Sequence, residues 1–242
     1  MKKRSVFIVV LIFSLTNYAQ NSREIDSIAV KLLDKMTAVI GELTAVSVDL
    51  ETATDKQNDL FENERFLGQH KLQFSGSDKM TIHSRGDDGN KAFWYNGSFL
   101  TYYSFDENNY VTLEAPENTM DMIDSMNTRF GIKFPGADIF FPTLTDDILN
   151  IFDHLKYLGK KTVDGQECFH LMASNKDMTF QLWISNNAMY LPKKYLFLDK
   201  INHYQQFEGT FSNWDFNHFI PNAVFEFTPP KNARLISIMA KS

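Results

Sequence analysis

Phe93-Trp94-Tyr95-Asn96-Gly97-Ser98-Phe99-Leu100-Thr101-Tyr102-Tyr103 is the stretch that decides the fold class. Aromatic and apolar residues flank an Asn-Gly pair. A two-residue type I′ turn needs positive φ at both central positions, which Asn-Gly supplies with little strain. The stretch therefore predicts a β-hairpin turning at Asn96-Gly97. Upstream, apolar residues keep a period of two: Val46, Val48 and Leu50, then Leu72 and Phe74, then Met80 and Ile82. Downstream, Val111 and Leu113 carry it to Pro116. Alternation of this kind marks strands buried on one face. Asp87-Asp88-Gly89-Asn90 and Asn108-Asn109 read as turns between them.

The second half repeats the pattern. Tyr157 to Val163 faces Glu167 to Ala173 across Asp164-Gly165, another type I′ signal. Met178, Phe180, Leu182 and Ile184 alternate with Thr179, Gln181 and Trp183, and strands follow at Tyr195 to Asp199 and Tyr204 to Trp214. Three segments break the alternation. Residues 23–40 carry Ile25, Ile28, Ala29, Leu32, Leu33, Met36, Val39 and Ile40 at helical spacing, with Ser22 as the expected N-cap and Gly41 as the stop. Asn118 to Gly131 reads as a second helix, capped by Asn118 or Thr119. An apolar loop with Phe130, Phe134, Phe140 and Phe141 leads to a third helix, Thr145 to Leu155, with Asp146 and Asp147 at its positive end.

One face of such a sheet is apolar along its length, and something must cover it. The leading helix and the insertion at 118–155 are the available covers. Large twisted sheets curl. The expectation is an α+β chain, mainly antiparallel β, with about ten to eleven strands curled around helices.

The first nineteen residues stand apart. Lys2, Lys3 and Arg4 precede an apolar run from Val6 to Leu15, then Thr16-Asn17-Tyr18-Ala19. That is the layout of a secretory signal peptide, and the run is too short to span a bilayer as a helix. Cleavage is expected between Ala19 and Gln20, leaving residues 20–242 as one domain in the periplasm. The only cysteine is Cys168, so neither an acylated mature N-terminus nor an internal disulfide is available. Cys168 lies in a predicted strand and reads as a core residue. The formal charge of −6, made more negative by loss of the basic leader, argues against nucleic acid and anionic membrane surfaces as partners.

Chemistry-bearing motifs are sparse. The six histidines have no ligand-like spacing, and no HExxH, Gly-x-Ser-x-Gly or phosphate loop occurs, so no cofactor, metal or catalytic residue is assigned. Asp55, Asp59, Glu62 and Glu64 read as a solvated connection, and Asp106-Glu107-Asn108-Asn109 as a turn. What remains is apolar. Met120, Met122 and Met126 place flexible thioethers on the second helix, a pattern that serves either core packing or an adaptable lid.

Three stretches carry a resemblance. They are the hairpin 93–103, the run Ala115-Pro116-Glu117-Asn118-Thr119-Met120-Asp121 continuing to Gly131-Ile132-Lys133-Phe134-Pro135-Gly136-Ala137-Asp138, and the ending Phe225-Glu226-Phe227-Thr228-Pro229-Pro230-Lys231-Asn232-Ala233. Together they resemble an uncharacterised family of predicted periplasmic proteins related to the LolA/LolB lipoprotein carriers. The resemblance implies an incomplete β-barrel closed by helices around an apolar cavity. The arginine that controls the LolA lid would lie on the strand after the first helix, and Thr44 to Asp55 has none. A cavity for an acyl or other apolar ligand is what carries over. Its expected wall is Leu72, Phe74, Met80, Ile82, Met178, Phe180, Leu182 and Ile184, and its expected lid Met120, Met122, Ile123 and Met126. The function implied is a soluble periplasmic carrier of a lipid, lipoprotein or other apolar ligand, with a membrane or lipoprotein as partner. The alternative is an interaction module with a packed interior, acting through an exposed surface such as the aromatic loop at 130–142.

Overall fold

The computed structural model describes residues 23–216 and 218–240. The leader reading of residues 1–19 and the expected cap Ser22 lie outside them. The chain runs β1 (Glu24–Ile25), α1 (Ser27–Gly41), β2 (Ala45–Gln57), β3 (Asn63–Ser75), β4 (Lys79–Gly86), β5 (Gly89–Tyr95), β6 (Phe99–Ser104) and β7 (Asn109–Glu114). It continues through α2 (Thr119–Phe130), a 3-10 turn (Ala137–Phe140) and α3 (Leu144–Ile151). Then come β8 (His154–Val163), β9 (Gln166–Ser174), β10 (Met178–Ser185), β11 (Pro192–Asp199) and β12 (Gln205–Phe216), a second 3-10 turn (Asn222–Phe225) and β13 (Arg234–Leu235).

All thirteen strands form one sheet in the order β1-β8-β9-β10-β11-β12-β2-β3-β4-β5-β6-β7-β13. Two sequential meanders, β2 to β7 and β8 to β12, are joined where β12 pairs antiparallel with β2. Only the two-residue strands at the edges pair parallel, β1 with β8 and β13 with β7. The edges do not meet, so the sheet is an open, curled one. The inward residues of both meanders share one apolar core with α1, α2 and α3. Ring contacts show the wrapping: Phe74 on β3 and Phe211 on β12 both reach Phe140 of the insertion, at 4.8 and 6.1 Å between centroids. Phe152, just after α3, stacks on Phe180 of β10. The incomplete barrel around helices is as expected, with thirteen strands against ten to eleven; the excess includes the two short edge strands, which carry too few residues to show a period.

Several boundaries differ from expectation for identifiable reasons. Helix α1 starts at Ser27, and Asp26 is its cap, accepting from the Ile28 N–H at 2.8 Å. The other Asp26 oxygen accepts from the Tyr157 N–H at 3.2 Å, which ties the helix start to β8. Glu24 and Ile25 are extended because β8 offers them a partner. The acidic segment at 55–64 is strand only at its ends: Asp55 pairs with Arg65 and Lys56 with Glu64 across β2 and β3, while Asp59 and Glu62 lie in the connection between them. Backbone pairing continues past the apolar core wherever cross-strand charges match, as Asp55 and Arg65 do at 2.9 Å. At the opening hairpin the turn is displaced by one residue. Tyr95 pairs with Leu100, and only Gly97 of the tip takes positive φ, at +95°. The Asn96 side chain instead accepts from the Ser98 and Phe99 N–H groups. Helix α3 ends at Ile151, because Leu155 is committed to β8. The second helix follows the expectation, with Asn118 as cap and Gly131 in the left-handed region.

Candidate functional site

Along β2, the inward positions Leu50, Thr52, Thr54 and Lys56 pass from sealed core to an open mouth. On β3 the sequence runs outward from Leu72 through His70 and Gly68 to Phe66, and on β5 from Tyr95 through Phe93 to Lys91. Each strand outruns the helices that plug the barrel. The result is a cavity of about 640 Å³ at the free ends of β2 to β5, β11 and β12. Its volume is that of a small-molecule or single-chain lipid site.

The floor is aromatic. Phe93 meets Phe134 of the insertion edge-on at 5.2 Å, and Ile123 and Pro135 complete that side. Phe66 and Leu67 form one wall, and Phe197 and Phe207 the other. Gly68 keeps the centre open: a Cβ there would sit 2.8 Å from both His70 Nε2 and Thr52 Oγ1. Gly136 lets the insertion approach the sheet. Its φ is +67°, and a Cβ would meet Leu50 Cδ2 at 2.8 Å and the Tyr195 hydroxyl at 3.3 Å. That hydroxyl is buried without a hydrogen-bond partner, and burial, with Asp138 adding, drives its pKa well above the usual phenol value.

Polar groups occupy defined places. His70 bridges two hydroxyls, Nε2 at 2.8 Å from Thr52 Oγ1 and Nδ1 at 2.8 Å from Ser84 Oγ. Burial is the main cause, and Lys91 the second, of a His70 pKa pushed down to about 4. The ring is neutral near pH 7, so one nitrogen donates and the other accepts. Lys56 bridges to Asp88 and lies over the Phe66 ring at 4.2 Å. Lys91 Nζ donates to the Asp88 backbone carbonyl at 3.4 Å. Asp138 is reached by solvent yet crowded by protein. Burial, then Asp124 and Asp147, raise its carboxyl above the ordinary aspartate value.

The expected wall and lid residues sit deeper. Leu72, Met80, Ile82, Phe180, Leu182 and Ile184 are sealed in the core, with Phe74 and Met178 half-buried against it. Met122, Ile123 and Met126 of α2 point into the same core, while Met120 is half-buried at the start of the helix. Of these twelve, Ile123 lines the cavity. The aromatic side chains of the loop 130–142, offered as an example of an exposed surface, are not exposed: Phe134 is buried, and Phe130, Ile132, Phe140 and Phe141 pack against the core. The residues missed were Phe66, Phe197 and Phe207, together with His70 and Lys91. A usable signal existed, since each shares the inward parity of its strand's apolar residues.

The chain is similar to several known proteins. An uncharacterised conserved protein from Thermus thermophilus superposes with a TM-score of 0.51 at 11% identity, over 86% of this chain and 98% of that one. A LolA superfamily protein from Nitrosomonas europaea superposes at 0.37 with 10% identity, over 82% of this chain and 97% of that one. In sequence, the uncharacterised protein MJ0687 of Methanocaldococcus jannaschii is 28% identical over 139 residues. That match spans 54% of this chain and 39% of its relative's length. The family model described as "Predicted periplasmic protein (DUF2092)" matches residues 29–239, and the chain belongs to that family.

Proposed function

We propose that the protein is a soluble periplasmic carrier that holds the apolar part of a lipid or acylated ligand in the mouth of its curled sheet. Residues 1–19 act as its signal peptide, cut after Ala19, and residues 20–242 form one carrier domain. The observation that carries this reading is the 640 Å³ cavity with Phe66, Phe93, Phe134, Phe197 and Phe207 around it. An acyl chain entering it gains about 0.8 kcal/mol for each CH₂ removed from water, so binding needs no catalytic group. The apolar residues expected to line the cavity serve as the packed floor beneath it.

The test is native mass spectrometry of protein recovered from periplasm, followed by solvent extraction. The expected result is an added mass that extracts as an acylated molecule. A clean apo mass that persists after incubation with lipids and lipopeptides would end the carrier reading.

One observation favours a second reading, the interaction module. Leu60 and Phe61 are 79% and 77% exposed at the tip of the β2–β3 hairpin. Phe61 sits there at φ +63°, a strained conformation for a bulky residue. The neighbouring turn adds exposed Ile201 and Tyr204, joined to the hairpin by Asn63 Nδ2 donating to the His203 carbonyl. Retention of a partner by the apo protein under crosslinking, lost on changing Leu60 and Phe61 to Ser, supports that reading.

A further inference from the structure

Resting on the carrier reading, we infer that the ligand is an amphiphile with one anionic head, a carboxylate or a phosphate, and that Lys91 receives that head inside the cavity. The chain is acidic overall, with 30 Asp and Glu against 24 Lys and Arg. The cavity departs from that balance: Lys56, Arg85, Lys91 and Lys133 line it together with Asp88 and Asp138. One carboxylate is taken, because Asp88 is held by Lys56. Among the described residues, no carboxylate lies within ion-pairing distance of Arg85, Lys91 or Lys133.

Lys91 is the most telling of the three, because Arg85 and Lys133 are exposed. It is half-buried, on the inward face of β5, two residues from the aromatic floor at Phe93. Its ammonium donates to one backbone carbonyl, at a long 3.4 Å. Three donors on a partly desolvated cation ask for more than that. Its charged neighbour Asp88 has its carboxylate held by Lys56, and His70, with Thr52 and Ser84 on its two nitrogens, is neutral. Thr52 and Ser84 can turn a hydroxyl toward an anion without adding charge. A head seated at Lys91 leaves its chain the path along Phe93, Phe134, Phe197 and Phe207. Arg85 and Lys133 add further positive charge to the lining.

The experiment is calorimetric titration of delipidated protein with three probes of equal chain length: oleate, 1-oleoyl-lysophosphatidate and neutral oleyl alcohol. At least one anionic probe should bind about 10-fold more tightly than the alcohol, the equivalent of about 1.4 kcal/mol. Whichever anion binds more tightly identifies the head as carboxylate or phosphate. Lys91→Gln should abolish the preference for the anion, and Lys91→Arg should retain it. Alcohol binding as tight as that of both anions, or a preference that survives in Lys91→Gln, overturns the assignment while leaving the carrier reading intact. Failure of all three probes to bind overturns both.

Discussion

His70 shows what a single side chain contributes at the cavity wall. Its pKa falls from about 6.5 in an unfolded chain to about 4 in the fold. Below pH 6.5 the unfolded chain therefore takes up a proton that the folded one refuses. Stability from this residue is complete above pH 6.5, falls as pH drops toward 4, and is then level. The 2.5-unit gap sets a ceiling of about 3 kcal/mol on the loss. His83 and His170 are lowered by burial as well and act in the same direction. Asp138, with its raised pKa, opposes them weakly as the pH falls. Urea midpoints measured from pH 7 to pH 4 should decline in the native protein and decline less in His70→Gln. Parallel profiles for the two would show that His70 is charged in the fold.

At the scale of elements, helix α2 tests how the insertion is held. Asn118 accepts from the Asp121 N–H at 2.8 Å and closes the first turn. Asn118→Ala should cost about 1 kcal/mol, seen as a lower urea midpoint with an unchanged slope; no change would mean that packing alone sets the helix start. This cap was legible in the sequence because it depends on residues three apart. The strand periods and the Asp164-Gly165 turn, with φ +45° and +76°, were legible for the same reason. Two boundaries were not. Glu24 and Ile25 are strand because of His154 and Leu155, about 130 positions away, and no local pattern encodes that partner. Asp55 and Glu64 read as loop by composition, yet pair with Arg65 and Lys56 across the hairpin. The candidate site divides the same way. Inward parity was readable, but where the helices stop plugging the barrel is a property of the packed whole, so the predicted wall fell on sealed core.

Across the whole molecule, an open sheet must manage two edges. At one, β1 covers β8; at the other, β13 covers β7, with Arg234 N donating to the Asn108 carbonyl and Ile236 N to that of Tyr110. Phe227 anchors the returning tail on Trp94, Tyr103 and Tyr110, at 5.0, 5.6 and 5.3 Å. Truncation after Phe227 leaves that anchor and bares the β7 edge. The truncated chain should show a higher apparent mass by light scattering than the full chain at the same concentration. Equal masses would mean that the tail does not guard the edge.

The join between the two meanders has a consequence in time. Strand β2 ends at Gln57, and its neighbour β12 does not begin until Gln205. During synthesis β2 through β7 can zip up by short-range turns, while the long outer flank of β2 waits for a partner that is still being made. The middle of the finished sheet is thus a seam that closes late, and the nascent chain spends that interval with one flank of a thirteen-residue strand on display. A holding chaperone that recognises extended backbone would meet its best target there, at a place that is hidden once the molecule is complete.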